Sequence, residues 1–349
     1  MREVLVTSVP GLEDVVLEEL RRVLSPAEYR VLSPGKILLS LSDASFESLV
    51  RQLPRLRSVE RAILVLLRRE VGEARLAEVE RELTESLRGV LPEYASPYLS
   101  YSVHAKRSGE HEFTSLDLAR VTGEAVRKVM GGGAPVNLEC PDLRLYVELR
   151  GSELILGVDV TGPRPLHERE YRAYLHPSSL NPIVAYAMVV LARVSEGHRV
   201  LDPMCGSGTI LIECGLARGG VELFGVDINP EYLRGASLNV RRAGLEGRVR
   251  LLLGDATRLE ELFPPSYFDR VISNLPYGIR IGSPYPLRSL YHRFLRSVRR
   301  VVREDGLLVL LTARGRLLER AVAASGFEVV GRRTIEMGGL YPRIYLLRP

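Results

Sequence analysis

Apolar residues recur along this chain in two different ways, and the change between them divides it. Residues 2–9 read as a short strand. From Leu12 to Leu24 apolar positions return at three- and four-residue spacing, which predicts a helix. Ile37 to Leu41 reads as a strand and Ser45 to Leu53 as a helix, after which Pro54 punctuates the chain. These elements make a small α+β unit of about sixty residues. Ala62 to Leu67 opens a new strand, followed by a charged helix from Gly72 to Val90, a strand from Leu99 to Ala105 and a helix from Leu116 to Met130. Leu143 to Leu149 and Leu154 to Val160 form a hairpin about Gly151-Ser152.

Gly162-Pro163-Arg164-Pro165 marks a linker, and beyond it strands and helices alternate. Strands are expected at 198–202, 222–227, 249–253, 268–273 and 306–312, and helices at 182–194, 209–217, 231–243, 286–303 and 315–325. Such alternation predicts a parallel sheet with helices on both faces. The tail departs from it. Phe327 to Glu336 and Arg343 to Leu347 read as a hairpin around Gly338-Gly339, which would place one antiparallel strand in that sheet.

Charge sharpens the division. The chain carries 48 Lys and Arg against 43 Asp and Glu, a formal net charge of +5. Residues 1–160 hold 21 basic and 25 acidic groups, and the remainder hold 27 and 18. A basic C-terminal part suits a polyanionic partner such as nucleic acid. A surface rich in ion pairs would give the same composition. Cys140, Cys205 and Cys214 have neither disulfide nor metal-ligand spacing, so no metal is expected. Early acidic residues at Glu3, Glu13 and Asp14 do not suit a signal peptide, and no apolar run reaches spanning length. A soluble, cytoplasmic protein without a membrane partner is expected.

Three carboxylates follow successive strands. Asp202 ends the first, Asp227 the second, and Asp255 follows the third. In open α/β sheets ligands bind outside the carboxyl ends of the strands, so the three converge on one crevice. Between them runs Leu201-Asp202-Pro203-Met204-Cys205-Gly206-Ser207-Gly208-Thr209. Gly206 and Gly208 permit a tight turn and close approach to a ligand. Leu211 stands where the dinucleotide fingerprint needs a third glycine, so a pyrophosphate site is disfavoured. Asp227 has the offset of a ribose acceptor, with Ile228 beside it. Asp255, next to Ala256, can accept from an adenine amino group, and Asp202 can pair with a methionyl ammonium. Cys205 reads as a packing residue. Ser178-Ser179-Leu180-Asn181-Pro182 is expected to cap the helix that follows and to border the cofactor tail.

Asn274-Leu275-Pro276-Tyr277-Gly278 ends the fourth strand. An exocyclic amine on a base shares its lone pair with the ring. Two acceptors on its N–H bonds favour a pyramidal nitrogen whose lone pair can meet a methyl group. Asn274 offers a side-chain oxygen, and the carbonyl of Leu275 or of Pro276 offers the second. Tyr277 offers an aromatic face for a flipped base. Asn, Pro and Gly are also ordinary turn residues. It is their place after Asp202, Asp227 and Asp255 that suggests methyl transfer to a base amine. Arg280, Arg288 and Arg293 follow as candidate phosphate contacts.

These residues resemble a known family. Asp202 to Thr209, Asp227, Asp255 and Asn274 to Gly278 look like the motifs of class I S-adenosyl-L-methionine-dependent methyltransferases. The Asn-Leu-Pro-Tyr form resembles amino-methyltransferases of nucleic acids. His104-Ala105-Lys106-Arg107, Phe113 to Arg120, Val136-Asn137-Leu138 and Leu143 to Val160 are similar to the THUMP RNA-binding domain. Leu166 to Arg172 resembles the segment that joins THUMP to a catalytic domain. The resemblance points to tRNA (guanine-N2)-methyltransferases, of the type acting on guanosine 6 of the acceptor stem. Relatives acting on guanosine 10 show Asp-Pro-Pro-Tyr at this place.

The resemblance implies a ferredoxin-like domain at 1–60, a THUMP domain at 61–161, a linker at 162–180 and a Rossmann-fold methyltransferase domain at 181–349. It implies a monomer that binds the acceptor stem and 3′ CCA end of tRNA, with Lys106, Arg107, Arg120 and Arg280 as RNA-contact candidates. A ribosomal RNA guanine-N2 methyltransferase, a tRNA guanosine-10 methyltransferase and a noncatalytic THUMP RNA-binding subunit are the alternatives.

Overall fold

The computed structural model describes residues 1–24, 28–72, 75–91, 99–176, 178–278 and 286–349. Arg280 lies outside them. The chain divides into two compact units. The first comprises Met1–Thr7, Leu20–Leu56 and Glu60–Leu166, and the second Ser8–Glu19, Arg57–Val59 and His167–Pro349. Among the described residues no helix is long and apolar enough to cross a membrane.

The first unit is built on one seven-stranded sheet. Its strands are β1 (Arg2–Thr7), β2 (Glu28–Ser33), β3 (Lys36–Leu41), β4 (Arg61–Glu70), β5 (Tyr101–Ser108), β6 (Leu143–Arg150) and β7 (Glu153–Asp159), in the order β2-β3-β1-β4-β7-β6-β5. Only β5 and β6 run parallel; the other neighbours are antiparallel. The two N-terminal groups of elements in the sequence therefore share a continuous sheet through the β1–β4 ladder. Helices α3 (Leu76–Val90) and α4 (Ser115–Val129) bury Val79, Leu83, Leu87, Leu118, Val121 and Ala125 against Leu145, Val147 and Leu156. Thr114 starts α4 with a capping box. Its Oγ1 accepts the Asp117 N–H at 3.2 Å, and Asp117 accepts the Thr114 N–H at 2.8 Å. Among the described residues the N-terminal part also holds the α-helices α1 (Glu13–Val23) and α2 (Asp43–Gln52).

The second unit holds the alternating pattern. Strands β8 (Arg199–Asp202), β9 (Glu222–Asp227), β10 (Val249–Leu253), β11 (Phe268–Asn274) and β12 (Val302–Thr312) are parallel, and β13 (Glu328–Thr334) and β14 (Arg343–Arg348) complete the sheet. The order is β10-β9-β8-β11-β12-β14-β13. β14 is antiparallel to both β12 and β13, so it alone runs against the sheet, as the tail hairpin implied. The helices are α5 (Pro182–Leu191), α6 (Thr209–Ala217), α7 (Pro230–Arg242), α8 (Leu287–Val301) and α9 (Gly315–Ala323). α5 is apolar on all sides because it is buried on all sides. Asn181 caps it, its side chain accepting the Ile183 N–H at 2.8 Å. The strand order reverses between β8 and β11, and this is where a ligand crevice opens in such sheets.

Glu213 on α6 is fully buried in the second unit and carries three partners. Arg57 Nη1 donates to it at 2.9 Å, Arg169 Nε at 3.1 Å and the Tyr171 hydroxyl at 2.8 Å. One carboxylate thereby ties residues 57, 169 and 171 to a core helix. Removing one member of a buried charge cluster strands the others without compensation. Glu213→Ala should therefore lower stability by about 3–5 kcal/mol in urea unfolding. A loss below about 1 kcal/mol would mean that water replaces the carboxylate.

Candidate active site

The crevice at the strand reversal is a cavity of ≈ 1160 Å³ in the second unit. Asp202, Pro203, Cys205, Gly206, Thr209, Asp227, Ile228, Asp255, Ala256 and Asn274 to Tyr277 all line it. Gly208 does not. It sits at the N-cap of α6 with φ of 78°, a left-handed conformation that suits glycine.

Asp202 ends β8 and is buried. Ser273 Oγ, from neighbouring β11, donates to its Oδ1 at 2.8 Å, and the Met204 N–H does so at 3.3 Å. Burial outweighs these donors and raises the carboxyl to about 7. Asp227 ends β9 and couples two turns. Its Oδ2 accepts the Gly206 N–H at 2.8 Å and its Oδ1 the Asn229 N–H at 2.9 Å, while burial pushes its pKa upward. Cys205 is packed rather than reactive, since burial holds its thiol well above the ordinary range. Asp255 accepts the Thr257 N–H at 2.8 Å and caps a short 3₁₀ turn, Ala256–Glu261, that the apolar pattern did not reveal.

Asn274 ends β11. The Tyr277 hydroxyl donates to its Oδ1 at 2.6 Å, which fixes that oxygen's direction and leaves its second lone pair. Burial raises the Tyr277 phenol well above its usual value, so it remains a donor. Of the other candidates, Lys106 is exposed on β5. Arg107 Nη1 bonds the Gly109 carbonyl at 3.0 Å, and Arg120 pairs with Glu124 at 2.7 Å. Arg288 and Arg293 are exposed on α8.

Several lining residues lay outside the sequence motifs. His176 and Tyr232 stack with centroids 4.6 Å apart and planes at 10°. An added Cβ on Gly206 would come within 2.6 Å of His176 Nε2, so a side chain there would collide with this stack. Met337 and Leu340, at the tip of the tail hairpin, line the cavity too. Asn239 joins the linker to the glycine turn. Its amide donates to the Tyr174 and Ser207 carbonyls at 2.9 and 3.0 Å. Ser178 and Ser179, which precede the capped helix, line the cavity as well, and no sequence spacing connects the other positions.

A buried carboxyl aimed at a cavity fits a cationic ligand group, and Ile228, 52% exposed beside Asp227, fits a flat apolar one. The strand order, the glycine turn and the terminal antiparallel strand define a class I S-adenosylmethionine-dependent methyltransferase unit. Comparison with known proteins agrees. Residues 169–343 match the RMKL-like methyltransferase domain family and residues 77–159 the THUMP domain family. The tRNA (guanine(6)-N2)-methyltransferase of Thermus thermophilus is 37% identical over 344 residues, covering 98% of each chain. That of Methanocaldococcus jannaschii is 31% identical over 383 residues, again covering 98% of each. The crystal structure of TrmN from Thermus thermophilus superposes with a TM-score of 0.84 at 34% identity, covering 100% of this chain and 99% of that one. The chain belongs to the family of tRNA (guanine(6)-N2)-methyltransferases.

The Asp202 carboxyl makes stability depend on pH. Its unfolded value is near 3.8 and its folded value about 7, so the folded state holds the proton more tightly. Below the lower value nothing is lost. Between the two the unfolded chain ionises first and stability falls, and above the upper value the loss is complete. Asp202→Asn keeps an oxygen acceptor for Ser273 and Met204. It should be more stable than wild type at alkaline pH by at least about 1 kcal/mol, with no advantage at pH near the unfolded value. Urea unfolding of ligand-free protein at both pH values checks this, and an equal difference at each would exclude Asp202 as the titrating group.

Proposed function

We propose that this chain transfers the methyl group of S-adenosylmethionine to the exocyclic N2 of guanosine 6 in the acceptor stem of tRNA. The observation that carries this reading is the convergence of Asp202, Asp227, Asp255 and Asn274 on one cavity at the strand reversal. The relatives' substrate guides the choice of target nucleotide.

Bound in this cavity, the cofactor supplies an electrophilic methyl group. Asp227 is assigned to the ribose hydroxyls, since its carboxylate keeps lone pairs beyond those taken by Gly206 and Asn229. Asp255 and Ala256 are assigned to the adenine edge and Asp202 to the ammonium of the methionyl tail. Asn274 Oδ1 and a main-chain carbonyl of the Leu275-Pro276 turn accept the two N–H bonds of the target amine. The nitrogen lone pair then points away from both acceptors. Tyr277 orients the Asn274 oxygen and offers its ring to the base. Positioning and fixed dipoles supply most of the acceleration, with little demand for an acid or base.

Paired RNA is read mainly by shape, so a buried stem amine is a poor sequence landmark. The THUMP-containing unit is proposed to bind the single-stranded 3′ CCA end and so to set the distance to the target.

Asp227→Ala should weaken S-adenosylmethionine binding severely, at about 1.5–3 kcal/mol for each lost bond to a charged acceptor. Asn274→Ala should leave that affinity nearly intact and lower turnover by orders of magnitude. Calorimetry and single-turnover methylation separate the two, and a reversed pattern would exchange their roles.

Nucleoside mass spectrometry of tRNA methylated with labelled cofactor should find N2-methylguanosine at position 6. Label in adenosine would overturn the assignment. Removing the CCA end should depress methylation strongly at subsaturating tRNA, whereas equal rates would reduce the N-terminal unit to a general RNA anchor.

A further inference from the structure

Two main-chain carbonyls, those of Leu275 and Pro276, could serve as the second acceptor for the amine. They are not equivalent in this fold. The Pro276 carbonyl already accepts the Tyr291 hydroxyl at 2.9 Å. That hydroxyl also lies 2.8 Å from Thr312 Oγ1, and Thr312 Oγ1 accepts the Arg314 backbone N–H at 2.9 Å. A carbonyl can only accept, so the one proton of Tyr291 is committed to Pro276. Thr312 must then donate its proton to the Tyr291 oxygen. The chain has a single polarity: Arg314 N–H to Thr312, Thr312 to Tyr291, Tyr291 to the Pro276 carbonyl. Tyr291 and Thr312 are fully buried, and burial pushes the Tyr291 phenol up to about 12, so its proton stays in place at neutral pH.

The next carbonyl along, that of Tyr277, accepts Arg314 Nε at 2.9 Å. The Leu275 N–H is held by the Leu311 carbonyl at 2.9 Å, while the Leu275 carbonyl accepts no hydrogen bond among the described residues. Proline fixes the φ torsion of residue 276, and peptide planes are rigid. Only the ψ torsion of Pro276 then separates the two carbonyls, and holding both the Pro276 carbonyl and the Leu275 N–H confines it, which restricts the direction of the Leu275 carbonyl. None of Tyr291, Thr312 and Arg314 lines the cavity.

We propose that Tyr291 and Thr312 are positioning residues for methyl transfer: by taking one lone pair of the Pro276 carbonyl and fixing its direction they favour the Leu275 carbonyl, which has both lone pairs open among the described residues, as the second acceptor beside Asn274. This rests on the amine-gripping reading given above.

Tyr291→Phe removes only the hydroxyl. In the full-length protein it should leave the dissociation constant for S-adenosylhomocysteine within about twofold and KM for tRNA within about threefold. It should lower kcat by roughly 10–100-fold, the scale of one lost hydrogen bond or two. Thr312→Val should act in the same way, and Thr312→Ser, which keeps the hydroxyl, should restore turnover. If Tyr291→Phe retains kcat within about twofold, the proposal is overturned. It is overturned as well if both Thr312 variants lose turnover equally, because packing and not the hydroxyl chain would then matter. A parallel loss of S-adenosylhomocysteine affinity would likewise assign Tyr291 to general integrity. Asn274→Ala in the same assay distinguishes the levels. If it keeps full turnover, the amine-gripping reading itself fails. If it is inactive while Tyr291→Phe is fully active, only the positioning role fails.

Discussion

The hydrogen bond from Ser273 to Asp202 crosses the point where the strand order of the second unit reverses. Two strands that diverge in their connections, β8 and β11, are joined there by a buried hydroxyl and a buried carboxyl. On either side of that bond lie the glycine turn that follows Asp202 and the Asn274 turn that follows Ser273. The pairing register of β8 with β11 at Val200 and Leu201 brings the two turns to the same end of the sheet. A carboxyl so deeply buried is costly to ionise without a cation. The fold thus keeps, at its crevice, a group that is better satisfied by a positively charged ligand than by the empty protein.

Around this junction the backbone does much of the chemical arrangement. Asp227 holds the Gly206 amide, so the acid and the glycine turn are tied to each other. Asn239 bonds both the linker and the Ser207 carbonyl, adding a third segment. On the other side, the carbonyls of Pro276 and Tyr277 are each taken by a donor from α8 or the β12–α9 turn. A site that depends on positioning more than on proton transfer needs such closure, because an unfixed dipole must be reorganised during the reaction.

Long segments with a strong pattern were legible in the sequence, and weak ones were not. α6 and β11 were expected within a residue of their bounds, because Gly208 and Asn274 punctuate their ends. β2 went unseen because it is a short, exposed edge strand, Glu28–Ser33, whose alternation is limited to Tyr29 and Val31, which stay exposed rather than marking a core face. The helix expected to run to residue 303 stops at Val301. Val302 instead pairs with Phe268 and starts β12, four residues before the expected strand. Local propensity there yields to a sheet contact made by a distant segment.

The sequence by itself determined which residues of the second unit could do chemistry, because each follows a strand whose apolar run can be read and strand ends in a parallel sheet share one side. Only the tertiary structure decided what completes the cavity. His176, Tyr232, Met337 and Leu340 come from a linker, a helix and a hairpin tip that no periodicity connects. The choice between the Leu275 and Pro276 carbonyls also awaited the fold. It depends on where Tyr291 and Thr312 put their hydroxyls, and a hydrogen bond between segments remote in sequence leaves no mark on the pattern of either one.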